Sequence, residues 1–317
     1  MEALQAYGRP FFGRAAKMTL QPLHPADVAV MTGLGAADAI DAFLITGGFP
    51  EVVQARQPGM NRVDYLRESL ANPLSPLLMA GELSLPGEFP ETSTSRAVLS
   101  AVGSGERTFS AIATEAGGAT PLASGTLSPL LSTLVGKRVL AVDSPLSTKP
   151  DTKNKRYRIA DPYLWFWLAF LDRGIPLVER GRGERVLAAV ERSWTSWRGR
   201  AVEPVVREAL LRLLPDDRWP ETEAVGGWWN RRNNPEIDLV GADREPIARR
   251  VHFLGSIKWL ENAPFGRHEY ESLVRDMLAV PGADTETPLV AVSRAGVDGS
   301  LPLAAHWGPE ELLAAWR

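Results

Sequence analysis

WWNRRNNPEIDLVGADREPIARRVHFLGSIKW, residues 228–259, is the stretch on which the fold turns. It predicts two strands joined at Asn233–Asn234–Pro235, a turn signal, and a third strand ending in GSIKW at 255–259. Downstream, RHEYESLVRDMLAV (267–280) reads as a helix, TPLVAVSRAG (287–296) as a strand and PEELLAAWR (309–317) as a closing helix. Upstream, ERVLAAVERSWTSWRGRAVEPVVREALLRLL (184–214) reads as helical, with a joint at Gly199. Helix, three strands, helix, strand is an α/β order.

Residues 94–160 have a different texture. TSRAVLSAVGSG and TFSAIATEAGG read as two helices, the second capped by Thr108. GTLSPLLSTLVGKR reads as a third, with Thr126 as N-cap and Pro129 in its first turn. VLAVDSP and KRYRIAD then flank the polar loop STKPDTKN as a hairpin. Three helices and a hairpin are the order of a winged helix. Between Lys137 and Arg158 stand seven basic residues and two acidic ones, in a chain whose formal net charge is −3. Lys149, Lys153, Lys155, Arg156 and Arg158 are therefore the candidate DNA contacts, suited to phosphates rather than bases. The third helix offers Ser124, Thr126, Ser128 and Ser132, which make poor base readers. The competing reading is a solvated hairpin in a protein–protein spacer.

The first part of the chain is helical. AADAIDAFLITGGFPEVVQA (36–55) breaks at Gly47, Gly48 and Pro50, and a second helical stretch runs from Arg62 to Met79. PGEFPETSTS (86–95) reads as a linker by composition. The ten tryptophans are assigned mainly to the core, with one of the adjacent Trp228 and Trp229 expected to be more exposed.

The absence of cysteine excludes disulfides and thiolate chemistry. The four histidines, His24, His252, His268 and His306, are too scattered for a zinc site. No Gly-x-Ser-x-Gly elbow is present. No apolar run approaches the roughly 18 residues of a membrane helix, and a cytoplasmic location without membrane partners is expected.

Glu203 on the long helix, Asp238 in EIDLV and Lys258 in GSIKW fall where a metal-dependent nuclease needs them. Carboxylates hold Mg²⁺ through oxygen, and the metal activates water. The order resembles the PD-(D/E)XK nuclease superfamily over about 199–317. The resemblance implies Glu203, Asp238 and Lys258 as catalytic residues, with Glu203 and Asp238 as Mg²⁺ ligands. Ser256 stands where that pattern has its second strand acid, and Glu236, on the same strand face as Asp238, is a helper.

RYRIADPYLWFWLAFLD (156–172), GGFP (47–50), YGRPFFGR (7–14), EIDLVGAD (236–243) and GSIKW resemble archaeal-type ATPases of archaea and bacteria. EIDLVGAD and GSIKW resemble the C-terminal domain of unknown function 234 of that family. That resemblance implies a P-loop ATPase domain, but G-x-x-x-x-G-K-[ST] does not occur in the sequence. VGSGERT and GGATPLASGT come nearest and lack the lysine. No ATP site is expected in this chain. It is expected to correspond to the last part of such an ATPase, truncated or stand-alone, with a P-loop domain or subunit as partner.

The expected fold is mixed α and α/β: a helical remnant at 1–90, loosely anchored to about residue 56; a winged-helix-like domain and following helix at 91–175; a helical linker at 176–198; and a restriction-endonuclease-like α/β domain at 199–317. Three functions remain open: a DNA-binding module with a weak or inactive nuclease-like domain, an active Mg²⁺-dependent nuclease, and a winged-helix transcription regulator.

Overall fold

A computed structural model describes residues 22–88 and 93–317. Within them the chain is mixed helical and sheet, as its alternating periodicities require. The YGRPFFGR segment and residues 1–21 of the helical remnant lie outside the described residues.

The first helices are α1 (Pro25–Thr32), α2 (Ala36–Thr46), α3 (Pro50–Gln54), α4 (Arg62–Ala71) and α5 (Pro76–Glu88). Gly47 ends α2 in the left-handed region at φ +57°. A Cβ on Gly47 would stand 2.6 Å from the Cβ of Tyr163, so the turn also needs the missing side chain for close approach. Phe49 packs on the Tyr163 ring at 5.2 Å between centroids. The expected loose anchoring of residues 1–56 does not hold for 22–56. Ile40, Leu44, Ile45, Val52 and Val53 are at most 1% exposed, because α2 and its turn pack on the segment that follows the hairpin. The PGEFPETSTS linker is helical on both described sides: α5 continues to Glu88 and α6 (Ser93–Gly103) begins at Ser93.

After α6 come α7 (Phe109–Gly117), α8 (Ser124–Gly136) and the antiparallel hairpin β1 (Leu140–Asp143) and β2 (Arg156–Ile159). Thr108 caps α7, its hydroxyl accepting from the Ala111 N–H at 3.3 Å. Thr126 does not cap α8. The Ala123 carbonyl accepts from the N–H groups of Thr126 and Leu127, so the helix starts three residues earlier and Pro129 lies inside it.

Asp161 caps α9 (Pro162–Phe166), which passes into a π turn at Trp167–Leu171. Tyr163 Oη donates to the Leu77 carbonyl and Trp167 Nε1 to that of Leu78, tying this apolar segment to α5. After α10 (Ile175–Glu179), α11 runs unbroken from Gly183 to Leu213. It has no joint at Gly199, and the boundary expected at 198/199 falls inside one helix. Trp194 and Trp197 are buried on it, stacked at 5.6 Å. Among the described residues no single helix is long and apolar enough to cross a membrane.

The sheet contains β3 (Ala224–Trp229), β4 (Glu236–Ala242), β5 (Val251–Lys258), β6 (Leu289–Ser293) and β7 (Ala305–Trp307), in that spatial order. β3, β4 and β5 pair antiparallel. The connection through α12 (Arg267–Asp276) makes β5–β6 parallel, β6–β7 is also parallel, and α13 (Pro309–Ala314) closes the chain. Trp228 and Trp229 are both buried, as the assignment to the core expects, with Trp228 the more exposed at 7% against 2%. The sheet core covers Trp228, and Asn154 and Arg156 from the hairpin cover Trp229.

One buried cluster joins the parts. Arg198, 1% exposed on α11, donates to Asp41 of α2 at 2.7 Å, to Glu261 at 2.8 Å and to the Trp259 carbonyl at 3.1 Å. Trp259 Nε1 donates to the other Asp41 oxygen at 2.8 Å. Removing one partner strands a buried charge, so Arg198→Ala should destabilise the fold by about 3–5 kcal/mol. Asp41→Ala added to it should cost clearly less than the sum of the two single changes. Urea denaturation of the four-member cycle measures this; additive effects would mean that the two residues act independently.

Candidate functional site

Glu203 on α11 and Asp238 on β4 meet where the helix crosses the sheet. Arg207, one turn after Glu203, stands between them. Its guanidinium donates to Glu203 Oε2 at 3.1 Å and to the Asp238 carbonyl at 2.9 and 3.1 Å. Gly227 on β3 makes the room: a Cβ there would lie 2.6 Å from Arg207 Nη2. Burial pushes the Glu203 carboxyl up to about 7, with Arg207 opposing and the nearby Asp238 and Glu236 adding to the rise. Its side chain is 16% exposed.

Ser256 is engaged with Asp238 rather than with solvent. Asp238 Oδ2 accepts from the Ser256 hydroxyl and from the Ile257 N–H, each at 2.8 Å. Burial raises the Asp238 pKa, and these two donors hold it back. A carboxylate at 256 would face Asp238 as a like charge; the hydroxyl faces it as a donor.

Lys258 pairs with neither of these acids. Its Nζ pairs with Glu269 in the first turn of α12, and Glu269 Oε2 also accepts from the Gly266 N–H. Burial raises the Glu269 carboxyl, but the bonds from Lys258 and the backbone outweigh it and leave it below its ordinary value. Glu236 lies near enough to Asp238 to raise its pKa, but its own carboxylate is engaged elsewhere. It is held by Arg156, whose guanidinium also donates to Asn233 and lies 4.1 Å above the Trp229 ring. Among the described residues no three His, Asp or Glu side chains gather as a metal site. Glu203 Oε2 and Asp238 Oδ2 serve Arg207, Ser256 and Ile257, and Ser256 puts a hydroxyl where a third carboxylate would stand.

The hairpin cations divide. Arg156 is 4% exposed and locked to Glu236, so it is a junction residue and not a free phosphate contact. Arg158 is half-buried and pairs with Asp143 at 3.1 Å. Lys149, Lys153 and Lys155 are exposed. Asn154 exchanges hydrogen bonds with Trp229, and Asp151 reaches Arg231 at 3.4 Å. These contacts bring the hairpin loop to the β3–β4 turn, where Arg231 and Arg232 are also exposed.

Residues 167–272 match a family model described as archaeal and bacterial proteins of unknown function, domain of unknown function 234. An uncharacterized protein of Methanocaldococcus jannaschii is 24% identical over 178 residues, 56% of this chain. The matched region spans 39% of that relative's length. No solved structure matches. The family match covers the π turn at Trp167–Leu171, α10, α11, β3 to β5 and the first part of α12, which is the part holding Glu203, Asp238, Ser256 and Lys258.

The sequence reading missed Arg207 and Glu269. Arg207 was readable as an i,i+4 partner of Glu203. Glu269 was not, because its contact with Lys258 depends on how the crossover helix docks.

The Glu203 proton has a consequence for stability. The folded chain holds it up to about pH 7 and the unfolded chain only to about 4.5. Stability therefore falls as pH rises through that window. Glu203→Gln removes the term, so the variant should gain on wild type by up to about 3 kcal/mol between pH 4.5 and 8. Denaturation midpoints across that range test this; parallel profiles for the two proteins would assign the proton elsewhere.

Proposed function

We propose that the chain is a DNA-contacting module of an archaeal-type ATPase, made of a winged-helix unit and a nuclease-like sheet that does not cut. The observation that carries this reading is the shared edge of the two hairpin tips. Lys153 and Lys155 from one tip and Arg231 and Arg232 from the other lie together, exposed, with Asp151 the acid between them. Such a rim suits a phosphate backbone and carries no base-reading geometry. Lys149 extends it along the hairpin loop.

The non-cutting part of the reading is supported by the self-neutralised acids. Arg207, Ser256 and the Lys258–Glu269 pair satisfy the groups that a Mg²⁺-dependent nuclease would keep open for metal and water. A P-loop ATPase domain, in this or a separate chain and in the cytoplasm, supplies ATP chemistry in this reading.

Labelled branched, single-stranded and duplex DNA, with Mg²⁺ or Mn²⁺, provide the test. Wild type should shift the DNA without cutting it. Replacing Lys153, Lys155, Arg231 and Arg232 by alanine should weaken binding at least about tenfold and flatten its salt dependence. Metal-dependent cutting that disappears in both Asp238→Ala and Lys258→Ala would overturn the non-cutting reading and establish a nuclease.

A further inference from the structure

We infer that Arg107 and Arg200 form a seat for a phosphate group at the junction of the three-helix–hairpin unit and the sheet. Arg107, Arg156, Arg158, Arg200 and Arg207 line one small cavity together with Asp143 and Glu203. Three of these cations have carboxylates of their own. Arg158 holds Asp143, Arg207 holds Glu203, and Arg156 holds Glu236 with both guanidinium nitrogens. Arg107 and Arg200 are left over. Arg107 reaches Glu236 only at 3.9 Å, on the oxygen that Arg156 already takes. Arg200 has no hydrogen bond or ion pair among the described residues.

Two half-buried guanidinium groups with like-charged neighbours are unfavourable unless an anion joins them. Burial depresses the Arg107 pKa and Arg156 and Arg200 depress it further, while Glu236 and Glu203 only partly offset them. Arg107 is 28% and Arg158 22% exposed, whereas Arg156 is 5% and Arg207 13% exposed. Arg107 thus lies toward the rim, and Arg156 and Arg207 lie deeper. The enclosed volume is about 20 Å³, room for about one water, so the anion sits at the rim rather than inside. Trp165, 6% exposed, lines the same cavity and places an aromatic reporter beside the arginines. Planar guanidinium pairs match phosphate oxygens in geometry as well as charge.

The phosphate can be an internal phosphodiester or a terminal group; the chemistry of the seat is the same. The inference does not depend on the exposed rim of Lys153, Lys155, Arg231 and Arg232, which is a separate surface.

The test titrates the full chain with inorganic phosphate, and with short single-stranded oligonucleotides bearing a 5′-phosphate or a 5′-hydroxyl. Tryptophan fluorescence reports binding, because Trp165 and Trp229 both line the cavity. Wild type should bind phosphate. Arg107→Gln/Arg200→Gln should weaken it at least about tenfold, and Arg107→Lys/Arg200→Lys should recover part of the loss. The Gln variant should unfold no earlier than wild type without phosphate, since like charges are removed; that checks that it folds. Lys153→Ala/Lys155→Ala should leave phosphate binding intact even where it weakens duplex binding, which separates this inference from the DNA-contacting function. Preference for the 5′-phosphate assigns a terminal group, and equal binding of both oligonucleotides assigns the phosphodiester. No binding of any probe by wild type, or equal binding by the Gln variant, would overturn the seat.

Discussion

Arg198 is the residue through which the whole arrangement is joined. Its guanidinium is buried under α11, with Asp41 from the first helical layer on one side and the end of β5 on the other. Burial pushes the Asp41 carboxyl up, while Arg198, Arg294 and the Trp259 N–H pull it back. Each group is tolerable only because the others are present. Arg294, just after β6, reaches Asp38 and Asp41 of the same helix, so two strand ends are fixed to α2 through charge. The helices before the hairpin and the sheet after it therefore share one framework. That is why no break appears in α11 where two domains were expected to meet.

The junction between hairpin and sheet follows the same rule with a different outcome. Arg156 reaches across to Glu236, Asn233 and the face of Trp229, and Asn154 secures the indole edge. These contacts turn a basic hairpin into a structural strut along one side. They leave its exposed lysines only at the tip. The charge excess read from 137–158 is real, but it is shared between a buried lock and a solvent-facing edge.

At the crossing of α11 and β4 the acids are neutralised from within. Glu203 keeps its proton to about pH 7 because burial outweighs Arg207. Asp238 is held by a serine hydroxyl and a backbone N–H rather than faced by a second acid. A serine at 256 thus has a structural logic where an acid would not. The hydroxyl binds Asp238 where a carboxylate would repel it.

Periodicity and turn chemistry carried most of the elements. The Gly47–Gly48–Pro50 break, the Thr108 cap, the antiparallel turn near Asn233 and the strands holding Asp238 and Lys258 were all legible, because backbone angles and hydrogen-bond valence act over a few residues. β7 was not, being three residues long with its pairing supplied wholly by β6. The sequence by itself determined the mixed α and α/β class, the proximity in pattern of Glu203 and Asp238, and the absence of a phosphate-binding loop. Only the tertiary structure decided which charges are free. Arg156 is buried, Lys258 belongs to Glu269, Glu236 belongs to Arg156, and among the described residues Arg107 and Arg200 have no carboxylates of their own. Ion pairing depends on distances between residues up to 256 positions apart, and local sequence carries no record of them.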